Sequence, residues 1–265
     1  MRNRRKYRLI RAVLLLIAIV CLIPVGQAYY LSFRHEEQQR ELKILMQNEG
    51  GSGQNREREE KKTVDLPTDC MEKFTELYSK NNDLTGWLAI EGTTIDYPVM
   101  QCEEDAYYLY HNFDKQKDKY GCLYVKSIAD VHTPGTNVII YGHNMKDGAM
   151  FGTLDKYKSE SFFREHGKIS FDTIYEERTY QIISVFETYL NKEGAYPYYQ
   201  FYQADSEEEF QVFYKNIKKM SLYDTEVAAG YGDTFLTLST CSDSGEDSRF
   251  VVVAKRITEK NNICR

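Results

Sequence analysis

Two runs near the C-terminus constrain this chain more than anything else in it. From Asp233 to Cys241 polar and apolar residues alternate: Leu236 and Leu238 fall on one side, Phe235, Thr237, Ser239 and Cys241 on the other. A period of two is that of a β-strand with distinct faces. Arg249 to Ala254 is rich in valine and reads as a second strand. Between them Ser242-Asp243-Ser244-Gly245-Glu246-Asp247-Ser248 holds no apolar residue and reads as an exposed turn. If Cys241 and Arg249 pair across this hairpin, they share a face, on strands ~4.8 Å apart. A guanidinium there would favour the thiolate, which is the nucleophilic form of cysteine. A lone cysteine beside a strand is more often a small buried hydrophobe, and an arginine at a strand start a solvated edge charge. A catalytic reading therefore needs a base as well.

The candidate base is His143. The apolar run Asn137-Val138-Ile139-Ile140-Tyr141 ends at Gly142, which puts His143 at a strand end, where a scaffold can hold it rigidly. His35 lies in a charged stretch, and His111, His132 and His166 sit among aromatic or turn residues, with no comparable reason to be preferred.

Together these residues resemble a known family. The segment Thr237-Leu238-Ser239-Thr240-Cys241 matches the T-L-x-T-C signature of class B sortases, the membrane-bound cysteine transpeptidases of Gram-positive bacteria. Arg249 before Val251-Val252-Val253-Ala254-Lys255 matches the family's downstream arginine. The block Tyr141-Gly142-His143-Asn144-Met145, with Lys146-Asp147-Gly148 and Met150-Phe151, matches its histidine block. Thr85-Gly86-Trp87-Leu88, Ile95-Asp96-Tyr97-Pro98-Val99, and Tyr107-Tyr108-Leu109 with Asn112 extend the similarity from about residue 70 to about 257, in the same order.

The N-terminus agrees with a membrane protein. Residues 1–11 carry six of the 34 basic residues and no acid. Ala12 to Leu31 is nearly continuous apolar sequence. About 20 residues at 1.5 Å rise span a ~30 Å hydrocarbon core, and the basic flank orients the N-terminus into the cytoplasm. A cleaved signal peptide is the rival, with Gly26-Gln27-Ala28 as a tolerable cleavage site; the length of the apolar stretch favours an uncleaved anchor. Beyond residue 11 the chain has 28 basic against 40 acidic residues, a net of −12, which argues against nucleic-acid binding. No zinc spacing, phosphate loop or nucleotide motif is present, and no cofactor is expected. The six cysteines do not form a framework: Cys21 is in the apolar span, Cys70 starts a helix, Cys102 and Cys122 are in the body, and Cys264 is an exposed tail thiol. A Cys102–Cys122 bridge is possible but unsupported, and a domain of this size buries a core without one.

The expected organisation is a basic cytoplasmic tail (1–11), a transmembrane anchor (12–31), a juxtamembrane helix and flexible linker (32–65), and an exterior catalytic domain (66–265). Gly50-Gly51-Ser52-Gly53 and a dense charge run mark the linker at 50–63. A helix is predicted from Asp69 to Asn81, capped by Asp69 with Glu72 completing a capping box, and with Phe74, Leu77 and Tyr78 as its apolar stripe. Strands are predicted at Gly86–Ile90, Thr94–Val99, Gly121–Val125, Asn137–Tyr141, Lys168–Phe171 and Thr179–Leu190. Such a series suggests a mainly β barrel or sandwich; the resemblance implies the closed eight-stranded sortase β-barrel. A late helix begins at Asp205-Ser206-Glu207-Glu208-Glu209, ends near Lys215, Lys218 and Lys219, and buries Phe210, Phe213, Ile217 and Met220. Its place before the cysteine strand matches the long helix of class B members. Tyr196-Pro197-Tyr198-Tyr199 reads either as the lining of a peptide groove or as aromatic packing.

The resemblance implies a mechanism. Cys241 would attack the threonine carbonyl of a Pro-x-Thr sorting signal on a surface protein, forming a thioester. His143 would serve as acid and then base, and Arg249 would bind the oxyanion or the signal's carbonyls. An amine from peptidoglycan or from another surface protein, such as a pilin, would then accept the acyl group. Ser239, Tyr141 and Asn112 are candidates for substrate contact; for Ser239 the alternative is a small residue leaving room beside the nucleophile. No metal site is expected: the acids Asp243 to Asp247 could attract Ca²⁺ but suit a solvated turn better. A membrane-tethered cysteine hydrolase and a non-enzymatic binding domain on the same scaffold are the rival functions, and the intact Cys241, His143 and Arg249 weigh against the second.

Overall fold

The computed structural model describes residues 2–47, 66–241 and 247–257. The linker expected at 50–63, the turn residues 242–246 and the tail thiol Cys264 lie outside them. The chain divides into two compact units, Met1–Gln47 and Asn48–Arg265.

The first unit is one helix, α1 (Arg2–Gln47), which joins the apolar stretch and the charged stretch after it without a break. Its segment from Val13 onward is long and apolar enough to cross a membrane.

In the second unit, a 3-10 turn (Glu72–Phe74) runs into the short helix α2 (Thr75–Lys80). This corrects the helix expected from Asp69 to Asn81. Asp69 caps nothing: Met71 precedes the turn in an extended conformation, and its N–H is taken by the carbonyl of Ile174 at 2.7 Å. Cys70 accordingly lies before the turn and does not start a helix. The strands are β1 (Leu84–Ala89), β2 (Asp96–Met100), β3 (Leu123–Val125), β4 (Asn137–Tyr141), β5 (Lys168–Thr173), β6 (Thr179–Tyr189), β7 (Phe235–Cys241) and β8 (Ser248–Ile257). Helix α3 (Glu160–Glu165) lies between β4 and β5, and α4 (Glu207–Met220) between β6 and β7. Every expected strand is present with ends moved by a few residues; Ser248, expected in the turn, is buried as the first residue of β8.

The strands close into a barrel in the order β1-β2-β3-β4-β7-β8-β6-β5. Its interior takes the apolar alternates: Leu88, Val99, Leu123, Ile140, Phe171, Ile182, Leu236, Leu238 and Val252 are all fully buried in one cluster. Each such side chain contributes ~1.5–3 kcal/mol by leaving water. The two-faced pattern of β7 is as the sequence has it. Leu236 and Leu238 enter the barrel, while Phe235 faces outward and packs with Val251 and Val253 of β8 against Phe210, Phe213 and Ile217 of α4. Helix α4 starts at a reciprocal cap. Ser206 Oγ accepts from Glu209 N–H at 3.2 Å, and Glu209 Oε2 accepts from Asp205 N–H at 2.8 Å. Cys21, Cys70, Cys102 and Cys122 are free thiols, so Cys102 and Cys122 form no bridge.

Candidate active site

Three strands meet where the sequence places its reactive residues. Strand β8 runs antiparallel to β7, and its register pairs Cys241 with Arg249, Thr240 with Phe250 and Ser239 with Val251. Strand β4 runs parallel to β7 on the other side and pairs Tyr141 with Ser239. His143 and Cys241 each follow that pair by two residues. The ladder continues past β4 through Gly142 N–H, which donates to the Ser239 carbonyl at 3.3 Å. Thr240 Oγ1 then donates to the Gly142 carbonyl at 2.7 Å, in a buried position. The threonine before the cysteine therefore ties the cysteine strand to the glycine before the histidine.

Gly142 has a packing reason to be glycine. A Cβ there would collide with Leu123 Cδ2 and the Phe151 ring. That close approach brings the chain over the barrel rim and fixes where His143 leaves it. Several contacts hold the following loop: Phe151 N–H donates to the His143 carbonyl at 2.9 Å, Tyr120 Oη to Asp147 at 2.5 Å, and Asn144 Nδ2 to Asp155 at 3.2 Å.

His143 is half-buried, with its ring edge-on to Tyr110 at 6.1 Å. Its Nε2 lies 2.8 Å from the carbonyl oxygen of Leu109. A carbonyl only accepts, so Nε2 carries a proton in either charge state, and Nδ1 is the nitrogen left to exchange one. Leu109 ends a 3-10 turn (Tyr107–Leu109) anchored by Tyr108, whose hydroxyl donates to Asp83 at 2.7 Å and accepts from Asn81 Nδ2 at 2.9 Å.

Beside this junction lies a groove of about 340 Å³. Tyr141, Gly142, Ser239, Thr240 and Arg249 line it, joined by Tyr198 and Tyr199 from the segment between β6 and α4. Ser239 is almost fully buried and shares a 2.7 Å hydrogen bond with the Tyr198 hydroxyl. Burial, and then the neighbouring Tyr202, push the Tyr141 hydroxyl far above the usual phenol range, so it stays neutral. Arg249 is partly buried, and its Nη1 donates to the Ser248 carbonyl at 2.8 Å.

The sequence candidates do not all converge here. Cys241 and Arg249 are paired neighbours, Ser239 and Tyr141 line the groove, and His143 directly follows the lining residue Gly142. Asn112 is elsewhere: its Oδ1 accepts from the N–H groups of Asp114 and Gln116 and closes a loop. The remaining body histidines have local partners: His111 with Tyr107, His166 with the Glu91 carbonyl, and His132 with the Tyr175 ring. The Tyr196–Tyr199 stretch both borders a groove and packs on the core. Tyr198 and Tyr199 line the groove, while Tyr196 packs on Phe213. Sequence reading missed Leu109, Tyr124, Lys126, Leu190 and Asn191 in the lining. The alternation of Tyr124 and Lys126 with buried Leu123 and Val125 was visible; which groove they face was not. Among the described residues no group of His, Cys, Asp and Glu is placed to hold a metal ion.

The chain is similar to known proteins along most of its length. Residues 88–257 match the Sortase domain family. Sortase B of Listeria monocytogenes is 31% identical over 203 residues, which cover 74% of this chain and 79% of that one. A crystal structure of sortase B from Bacillus anthracis in complex with AAEK1 superposes with a TM-score of 0.72 at 27% identity, covering 87% of this chain and 99% of that one. A Staphylococcus aureus sortase B–substrate complex superposes with a TM-score of 0.69 at 26% identity, covering 84% and 94%.

Proposed function

The chain belongs to the sortase family, in its class B, and we propose that it cleaves a Pro-x-Thr-type sorting signal after threonine and passes the protein to an amine. Sortases are cysteine transpeptidases of the Gram-positive cell wall, and this is the enzyme class of the chain. In the proposed reaction Cys241 Sγ attacks the threonine carbonyl carbon. The carbonyl electrons move to oxygen, where Arg249 supplies fixed positive charge in a partly desolvated site. The tetrahedral intermediate collapses, the C–N bond breaks, and the leaving amine takes a proton from His143. The acceptor amine then attacks the thioester, loses its proton to His143 and releases the Cys241 thiolate. The Leu109 carbonyl holds Nε2, so Nδ1 is the nitrogen assigned to both transfers.

The observation that carries this reading is the antiparallel pair Cys241–Arg249, with His143 at the end of the strand next to β7. The groove beside it suits an extended peptide, and a relative of the same class has been seen in a substrate complex. Ser239 and Tyr141 are assigned to peptide contact; Asn112, which closes a loop, is the weaker candidate. The apolar part of α1 supports a single membrane anchor with residues 1–11 in the cytoplasm and the barrel outside. Peptidoglycan or another surface protein would supply the amine.

The test uses the full chain in detergent, mixed with Pro-x-Thr peptides and no amine. Intact mass should show an acyl adduct that Cys241→Ala lacks. Adding candidate amines should then convert the adduct to ligated product; product carrying water alone, whatever the amine, would point to a hydrolase. No adduct with any peptide would sink the transpeptidase reading.

A further inference from the structure

The described lining of the groove differs in charge from the protein as a whole. Beyond residue 11 the chain is at −12, yet the described lining of the groove has two formal cations, Lys126 and Arg249, and no carboxylate. Arg249 belongs to the reaction centre. Lys126 has no role there. Its Nζ lies 5.3 Å from the centre of the Tyr141 ring, a cation–π placement, and no carboxylate lies within ion-pairing distance of it among the described residues. Two acids lie near the rim without pairing with Lys126: Asp105 accepts from Ser127 N–H at 2.7 Å, and Asp247 accepts from Nδ2 of the lining residue Asn191 at 3.0 Å. Lys126 is also held from below, since its carbonyl accepts from Gln101 Nε2 at 2.8 Å.

The strand registers give its distance from the nucleophile. Lys126 lies two residues past Tyr124, which pairs with Tyr141; Tyr141 pairs with Ser239, two residues before Cys241. At ~3.3 Å per residue and ~4.8 Å between strands, Lys126 and Cys241 are ~16 Å apart between Cα atoms. The ammonium leans back over Tyr141, which brings it to on the order of 10 Å, about three residues of extended peptide. With the signal's threonine at Cys241, that is the residue before the proline.

We propose that Lys126 is a specificity residue for this reaction, selecting sorting signals with a carboxylate side chain at the position before the proline. The inference rests on the transpeptidase reading above and names what its groove prefers. An ammonium already held against an aromatic ring loses little freedom on meeting an anion, and a lysine at that signal position meets a like charge in a partly enclosed groove.

The test compares peptides identical except for Asp, Glu, Asn, Ala or Lys before the proline, using the full chain in detergent and the rate of acyl-adduct formation. The acidic peptides should react about tenfold faster than the lysine peptide. That ratio should shrink toward one at 1 M salt, where the Debye length is ~3 Å. Lys126→Glu should reverse the ranking, and Lys126→Met, which keeps the packing on Tyr141, should flatten it. Equal rates for all peptides, or the same ranking in both variants, would overturn the specificity and leave the transpeptidase standing. An adduct with none of the peptides would overturn both.

Discussion

The two ends of the barrel handle charge in opposite ways. At the end away from Cys241, the β5–β6 turn and the last residues of β8 form a closed network. Arg178, its side chain wholly buried, bonds Glu176 at 2.8 Å; Arg256 bonds the same carboxylate at 2.8 Å; and Lys73 bridges Asp172 at 2.9 Å and Glu177 at 2.7 Å. At the Cys241 end, Lys126 lines the groove with its ammonium against the Tyr141 ring, and no carboxylate lies within ion-pairing distance of it among the described residues. The first arrangement spends its charges on holding the chain together. In the second, on the proposal above, Lys126 is kept for a ligand. A charge paired within the fold serves the fold; the specificity proposal assigns Lys126 to a ligand instead.

The largest effects should separate the ends. Cys241→Ala should abolish adduct formation, and His143→Ala or Arg249→Ala should slow acylation by ~10²–10⁴-fold with little change in thermal midpoint. Arg178→Ala, at the far end, should cost about 3 kcal/mol in chemical denaturation and leave the rate of the folded fraction near wild type. A rate loss in Arg178→Ala as large as in Arg249→Ala would erase the contrast.

Two glycines sharpen it. A Cβ at Gly142 meets Leu123 and Phe151; one at Gly86 meets the Asp172 carbonyl and Phe171. Each alanine variant should lose ~1–3 kcal/mol to overpacking. Gly142→Ala should also lose more than tenfold in acylation rate, because the displaced backbone carries His143, whereas Gly86→Ala should keep its rate per folded molecule. Stopped-flow acylation normalised to folded protein reads the difference.

Much of this site could be read from the order of residues. The alternation in β7 fixed which of Leu238 and Ser239 enters the barrel, and the apolar run before Gly142 put His143 at a strand end. The helix expected from Asp69 shows where such reading stops. Its cap failed because Met71 found the Ile174 carbonyl, about a hundred residues away, and a local capping preference worth ~1 kcal/mol gives way to a tertiary hydrogen bond. Lys126 was missed for the same kind of reason: a lysine after a short strand reads as solvated until β4 brings the Tyr141 ring beneath it.

Smaller effects refine the picture. Thr240→Val removes the bond to the Gly142 carbonyl and should cost ~1 kcal/mol. If that bond also aligns β7 with His143, the variant should lower kcat with KM unchanged; a change in KM alone would assign it to the groove floor. The smallest effect belongs to the far end. Burial alone would raise the Glu176 pKa, but hydrogen bonds from Arg256 and Arg178, and their charges, outweigh it and lower it. Its folded pKa is therefore below its unfolded value of ~4.3. The stabilisation is complete above the unfolded value and is lost as pH falls through the folded one. Wild type and Glu176→Gln should differ by a constant amount above about pH 5 and converge toward pH 2; a gap that widens in acid would refute the pairing.

By itself the sequence determined the strands, their faces and the apolar helix, and it singled out Cys241, His143 and Arg249 as candidates, because these depend on period, composition and residue type over a few neighbouring positions. Only the tertiary structure decided which strands lie side by side, that His143 Nε2 is held by the Leu109 carbonyl, and that Tyr198 and Lys126 border the same groove. Those facts depend on contacts between segments far apart in the chain, and no local pattern encodes the register in which a barrel closes.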